Sequence, residues 1–191
     1  DEGNCDCYLG QNDTLCKHMV ALAIRAVAEG KPLRDEDKKD VGELRCSGNL
    51  GELSKTELSN FKKSINGAMR YIKPYNGPSK IWFAYQYSLQ EGCNRLSAIA
   101  SKLPVSQQTA KLLVDMLLRL DERLCQGGVD DSDGTVGGFI ERAVNMLCEY
   151  VKLEPDCKKE FHTLENRETC FGWEEPLLKM LNKNHGEKDK K

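Results

Sequence analysis

Most of this 191-residue chain carries apolar residues at helical spacing, in segments that proline and glycine separate. Between residues 54 and 181 the apolar positions recur every three or four residues, as they do on one face of an α-helix. The breaks fall at residues 74–78, at Pro104, at residues 127–128 and at Pro155. No segment sustains the alternation of a β-strand. The pattern therefore predicts an all-α fold, with residues 54–181 forming a bundle of five or six helices.

Capping signals support several of these helices. Ser54 followed by Glu57 is a capping-box pattern, in which two backbone amides at a helix start are satisfied reciprocally. Ser106 stands where it would cap another long helix. The expected helices cover residues 19–29, 54 to the break at 74, 79–102 with a division at Gly92, 107–125 and 135–153, with shorter ones at 155–164 and 174–181.

Composition divides the chain into four parts. Residues 1–30 form a small N-terminal module. Residues 31–53 are rich in glycine and charged side chains, and we interpret them as a linker. Residues 54–181 form the helical domain, and the charged residues 182–191 are predicted to be a disordered tail.

The hydropathy and the charge of the chain argue against two kinds of partner, membranes and nucleic acid bound non-specifically. No run of residues approaches the roughly eighteen apolar residues of a membrane helix, so no membrane partner is expected. The net charge of −2 argues against non-specific electrostatic binding to nucleic acid, because proteins that bind in this way are normally basic.

A quartet of cysteines and histidine near the N-terminus carries the most definite chemistry of the sequence. One residue separates Cys5 from Cys7, and one residue separates Cys16 from His18, ahead of an apolar helix. Three thiols and one imidazole are the ligand set of a closed tetrahedral zinc site. The positive end of the helix favours thiolate at Cys16. Because four protein ligands leave no position for water, the Zn²⁺ is predicted to be structural.

The same residues resemble a SWIM-type zinc finger. That family has Cys-x-Cys, a variable loop and then Cys-x-His opening a helix of small apolar residues, and residues 5–29 match this order. The resemblance implies zinc bound by Cys5, Cys7, Cys16 and His18, and a role in binding DNA or a protein partner. Family members usually carry a β-hairpin before the first cysteine pair, so we expect this finger to be N-terminally incomplete.

The remaining cysteines are predicted to be reduced. The chain has nine cysteines, and six lie outside the quartet, an even number that would permit disulfides. Cys93, Cys125 and Cys148, however, lie in or at the end of helical segments, as small core residues do. Reduced thiols indicate an intracellular, cytoplasmic protein.

A second candidate site is the turn at residues 96–109, which resembles a helix-turn-helix motif. Its second helix would present Gln107, Gln108, Thr109 and Lys111 to the major groove of DNA. Glutamine and threonine can read base edges, and lysine can contact phosphate. The alternative is a turn between two core helices, because the helix that follows is apolar on most sides.

The acidic loop at residues 129–138 looks like a calcium loop but lacks essential ligands. In the EF-hand register that fits its central glycine, Val129 and Ile140 stand where the first and last ligands are needed. We interpret the loop as a cap for the next helix, through Asp133 or Thr135. Contact with another cation or with a basic side chain of a partner stays open.

These features favour a non-enzymatic zinc protein in which the finger and the helical domain mediate binding to protein or DNA. One alternative is a helix-turn-helix regulator, and another is the accessory part of a larger enzyme whose catalytic domain precedes Asp1. The sequence holds neither a nucleophile-base constellation nor a phosphate-binding or dinucleotide-binding motif. No small-molecule cofactor is therefore expected.

Overall fold

The structure, a computed structural model, describes residues 5, 7, 16–28, 30 and 44–182. The chain divides into two compact units, Asp1–Asp40 and Val41–Lys191. Regular structure in the described residues is helical, which confirms the all-α class. The first unit holds helix α1 (Lys17–Ala28), and the second holds α2 (Lys55–Met69), α3 (Trp82–Ala100), α4 (Gln107–Cys125), α5 (Thr135–Leu153) and α6 (Glu175–Asn182), with 3₁₀ helices at Ser79–Ile81 and Pro155–Leu164.

Helices α3, α4 and α5 form the centre of the second unit. Both α3 and α4 pack against α5, α2 packs against α3, and the longer 3₁₀ helix packs against α4, α5 and α6. Leu89, Leu113, Phe139, Leu147 and Tyr150 are fully buried where these helices meet. Because burial of one large apolar side chain contributes about 1.5–3 kcal/mol, this shared core fixes the arrangement of the helices.

The second half of the predicted linker belongs to the helical unit. Leu50 and Val105 form a parallel β-bridge. The Val105 amide donates to the Asn49 carbonyl at 2.6 Å, and the Gly51 amide donates to the Val105 carbonyl at 3.2 Å. The chain from residue 44 to residue 53 is therefore held along the turn between α3 and α4. The first half of the predicted linker and the tail beyond Asn182 lie outside the described residues.

Two details of the helices differ from the sequence predictions. Gly92 lies inside α3 without dividing it. The segment Pro155–Leu164 is a 3₁₀ helix of 10 residues, and Pro155 stands in its first turn.

Among the described residues, no helix has the length and apolar character needed to cross a membrane.

The prediction of reduced thiols is wrong for one pair. Cys125 and Cys170 form a disulfide bond, and their Cα atoms lie 5.7 Å apart, which is within the usual range for a disulfide. The pair forms because the C-terminal end of α4 meets the loop that precedes α6. The other described cysteines are not in disulfide bonds.

Candidate metal centre

The four residues of the Cys/His quartet lie together in the first unit. The sulfur atoms of Cys5, Cys7 and Cys16 and a ring nitrogen of His18 all lie within 4.8 Å of one another. His18 Nδ1 is 3.6 Å from Cys5 Sγ and 4.0 Å from Cys16 Sγ. The structure thus brings together the ligand set that the sequence predicts.

These distances fit the edges of a tetrahedral zinc complex. Zn–S bonds of about 2.3 Å and Zn–N bonds of about 2.0–2.1 Å place sulfur and nitrogen about 3.6 Å apart at the tetrahedral angle. The Cys5–His18 distance of 3.6 Å equals this value, and the Cys16–His18 distance of 4.0 Å is close to it. The residues present therefore fit an ion of the size and ligand preference of zinc.

Helix α1 positions the second pair of ligands. Cys16 directly precedes the helix, and His18 lies in its first turn. The Cys16 side chain is buried, and its sulfur accepts a hydrogen bond from the Met19 amide at 3.4 Å. That amide, one of the free donors at a helix start, lowers the pKa of Cys16 to about 6. The favoured form of Cys16 near neutral pH is therefore the thiolate, which is the form that binds metal.

The first cysteine pair responds to the charge on Cys16. The Cys7 amide donates to the Cys5 sulfur, but the neighbouring thiols of Cys16 and Cys7 outweigh this bond and raise the pKa of Cys5 to about 11. The Met19 amide is the main cause of the lowered pKa of Cys16, and hydrogen bonds among the thiols add to the opposite shifts at Cys16 and Cys5. Adjacent thiols cannot easily carry several negative charges without a cation. A divalent cation removes this repulsion and favours the thiolate form of each ligand.

Two of the four residues predicted to read DNA are held inside the helical unit. Thr109 is fully buried, and its hydroxyl takes part in the capping box with Ser106 at the start of α4. The Gln108 side chain accepts from the Leu53 amide at 3.0 Å and donates to the Leu53 carbonyl at 3.3 Å. Reading of a base by Gln108 would require these two bonds to break.

The other two, Gln107 and Lys111, are exposed and share an acidic partner. Gln107 Nε2 donates to a carboxylate oxygen of Glu160 at 2.6 Å, and Lys111 Nζ lies 3.7 Å from the other oxygen. The nearby negative charge weakens any attraction of this surface for phosphate. This placement favours the interpretation of a turn between core helices over that of a DNA-reading motif.

The acidic loop caps α5 through a residue that the sequence did not single out. Asp131 Oδ1 accepts from the Val136 amide at 2.7 Å, and Oδ2 accepts from the Gly137 amide at 2.8 Å. Asp133 Oδ1 accepts from the amide of Thr135, the first residue of α5, at 3.1 Å. Burial raises the pKa of Asp131, against the lowering effect of its two amide donors. Asp131 therefore holds two amides at the start of α5, and Asp133, one of the two predicted caps, holds a third.

A second group of metal-ligand residues was not predicted. Asp121, Cys125 and Cys170 each place one ligand atom within 4.8 Å of the other two. Asp121 and Cys125 are four residues apart on α4, a spacing that the sequence shows and that puts both on one helix face. Cys170 follows Cys125 by 45 residues, and no local signal connects the two.

What the quartet can do chemically follows from its donor atoms. Three sulfurs and one nitrogen suit a borderline divalent cation such as Zn²⁺, and they leave no open position for a substrate.

The likeness to a SWIM finger rests on these four residues and the helix that follows them. Comparison of the chain with known protein families, with curated proteins and with solved structures finds no match.

Proposed function

We propose that this chain is a non-catalytic zinc-binding protein of the SWIM type that binds a macromolecular partner through its N-terminal module. The observation that carries the proposal is the convergence of Cys5, Cys7, Cys16 and His18, whose ligand atoms all lie within 4.8 Å of one another. A closed ligand set organises the chain around the ion and performs no reaction there. In this role, zinc binding supplies the folding free energy of a module too small to build a large core.

The exposed face of α1 supports a protein as the partner. Val20, Leu22 and Ile24 are 41%, 61% and 65% exposed. Three large apolar side chains within one short helix form a patch of the kind that marks protein contacts. Their burial against a partner would be favourable by about 25 cal/mol per Å² of apolar area. The net charge of −2 likewise favours a protein partner over nucleic acid.

Zinc content tests the first step of the proposal. Purified protein with its disulfide oxidised is expected to contain about one zinc per chain, as in a closed four-ligand site. Cys16→Ser is expected to lose that zinc, and Cys148→Ser, at a free cysteine of the second unit, is expected to keep it. Inductively coupled plasma mass spectrometry gives the ratio. A Cys16→Ser protein that retains a full equivalent of zinc would refute the proposal.

Partner capture tests the second step. The double variant Leu22→Ser/Ile24→Ser removes apolar side chains from α1 and should keep its zinc, because neither residue is a ligand. Proteins captured by the wild type are expected to be lost with this variant and with Cys16→Ser. Phe83→Ser is the matched control, since Phe83 is 70% exposed in the second unit. Capture that all variants share would contradict a role for the zinc module.

DNA binding through Gln107, Gln108, Thr109 and Lys111 stays a prediction and is measured on the same proteins. It requires a mobility shift of duplex DNA that weakens with rising salt and with Lys111→Ala. Lys152→Ala, at an exposed lysine of α5, serves as the control. The absence of a shift at low salt would leave the protein partner as the proposed one.

A further inference from the structure

Asp121, Cys125 and Cys170 form a compact cluster where the C-terminal end of α4 meets the loop before α6. Asp121 is buried, with 8% of its surface exposed, whereas both cysteines are exposed to solvent. Two thiols and one carboxylate are ligand types that zinc accepts, and they number one fewer than a tetrahedral ion takes. The disulfide between Cys125 and Cys170 uses the two sulfurs that such a site would need.

The Asp121 carboxylate is oriented as a metal ligand is oriented. Its Oδ1 accepts from the Cys170 amide at 2.8 Å and from the Trp173 indole at 2.9 Å. Its Oδ2 lies 3.8 Å from Cys125 Sγ, and the Asp121 main-chain oxygen lies 3.7 Å from Cys170 Sγ. In metal sites, such donors to the outer oxygen fix the ligating oxygen in position. Both donors to Oδ1 are neutral, and a cation beside a buried carboxylate offsets the cost of burying its charge.

An open cleft leads to the cluster from solvent. It has a volume of about 420 Å³, and two of its lining residues are Asp121 and Cys125. The other charged side chains that line it are those of Arg119, Glu122, Arg167 and Glu168. The cleft is polar and large enough for several water molecules, so a water can complete the coordination of an ion.

We propose that the reduced Cys125–Cys170 pair binds Zn²⁺ together with Asp121, and that the disulfide and the metal exclude each other. On binding, the two thiols release two protons to solvent, and zinc takes the two thiolates, the carboxylate and one water. A low-molecular-weight disulfide reverses this state. The two cysteine sulfurs lose two electrons and form one S–S bond, the oxidant's S–S bond gains the electrons and yields two thiolates, and Zn²⁺ leaves.

Cobalt titration tests this site separately from the quartet. In the triple variant Cys5→Ser/Cys7→Ser/Cys16→Ser, all three thiols of the first site are absent. The metal-free variant, reduced with a phosphine, is expected to bind about one Co²⁺ and to show thiolate-to-cobalt absorption in the near ultraviolet. Oxidised glutathione is expected to abolish the band and release the ion.

Two further substitutions in that background identify the ligands. Cys170→Ser is expected to remove most of the band, and Asp121→Asn is expected to weaken Co²⁺ binding at least about tenfold. Cys148→Ser is the control and should change neither quantity. A reduced triple variant that shows no thiolate-to-cobalt absorption would overturn the proposal, as would a band that survives oxidation or Cys170→Ser. Either failure leaves the zinc content of the quartet unaffected.

A readout that needs no substitution comes from the wild-type protein. Reduced protein reloaded with zinc is expected to hold about two equivalents and oxidised protein about one, because only the reduced state offers the second site. Equal zinc content in the two redox states would contradict the inference even if a variant failed to fold.

Discussion

Gly92 sets how closely α3 can approach the turn that follows α2. A Cβ atom at this position would lie 2.7 Å from Ile72 Cγ1 and 3.1 Å from Tyr71 Cβ. Ile72 is fully buried and has little room to move. We therefore expect Gly92→Ala to lower the free energy of unfolding by about 1–3 kcal/mol, as overpacking does, although alanine is the better helix former.

Gly67 provides the matched control for this substitution. It lies in α2, and a Cβ there would meet nothing within 4 Å. Gly67→Ala is expected to leave stability unchanged or to raise it by up to about 1 kcal/mol. Urea unfolding followed by circular dichroism measures both proteins, and equal losses of stability would contradict the role assigned to Gly92.

At the residue scale, the candidate metal ligands were easier to predict from the sequence than the side chains that cap α5. The quartet was predictable because its two cysteine and histidine pairs are local in the chain. The contribution of Asp131 to the cap of α5 was not, because Gly134 has φ of 74° and turns the loop so that Asp131 reaches the helix start. A carboxylate that is five residues before its amide partner is identified only by the path of the backbone between them.

The start of α2 shows what a capping box contributes to a single element. The Ser54 hydroxyl accepts from the Glu57 amide at 3.3 Å, and the Glu57 carboxylate accepts from the Ser54 amide at 2.9 Å. Ser54→Ala is expected to lower the free energy of unfolding by about 1 kcal/mol. Ser64→Ala, at an exposed position within the same helix, is the control and should cost nothing.

The same box gives a pH dependence with a definite sign. Hydrogen bonds with the Ser54 side chain and amide lower the pKa of Glu57 in the folded protein. A carboxyl group whose pKa is lowered by folding stabilises the fold at any pH above its pKa in the unfolded state, which is about 4.3. This stabilisation is lost as the pH falls through the pKa of the group in the folded protein. The effect of Ser54→Ala is therefore expected to be largest near pH 7 and to shrink below pH ~4. An effect that stays constant between these values would exclude the Glu57 carboxylate as its source.

Local signals also explain which elements the sequence predicted. The ends of α4 and α5 agree with the predicted 107–125 and 135–153, because serine caps, glycines and prolines mark helix ends within a few residues. The composition of residues 44–53 predicts a linker, because the partner of this segment, Val105, lies in a turn more than fifty residues away. Pairing across such a distance leaves no periodicity in the segment itself.

The disulfide is a property of the whole molecule, and it connects segments 45 residues apart. A cross-link that closes a loop of this length is expected to stabilise the fold by about 4 kcal/mol in the chain-entropy model. Cys125→Ser/Cys170→Ser is therefore expected to lower the free energy of unfolding by about 2–4 kcal/mol under oxidising conditions. In reducing buffer without metal, the wild type and the variant should unfold alike in urea. If the variant is as stable as the oxidised wild type, the disulfide bond does not stabilise the fold.

Removal of zinc is expected to affect the first unit and to spare the second. A helix of the length of α1, with 12 residues, is marginal in water without a tertiary anchor, and the quartet ties its first turn to Cys5 and Cys7. The second unit has its own core of helices α2 to α6. A chelator added to oxidised protein should therefore reduce the helical circular dichroism by about the contribution of α1.

In that experiment, tryptophan emission reports on the second unit alone. The chain contains 2 tryptophans, Trp82 and Trp173, and both lie in the second unit. Their emission, and the urea midpoint that it reports, is expected to stay unchanged when zinc is removed, and added zinc should restore the lost helical signal. A chelator that shifts the tryptophan emission would show that the helical unit depends on the metal. Unchanged circular dichroism would show that α1 does not depend on it.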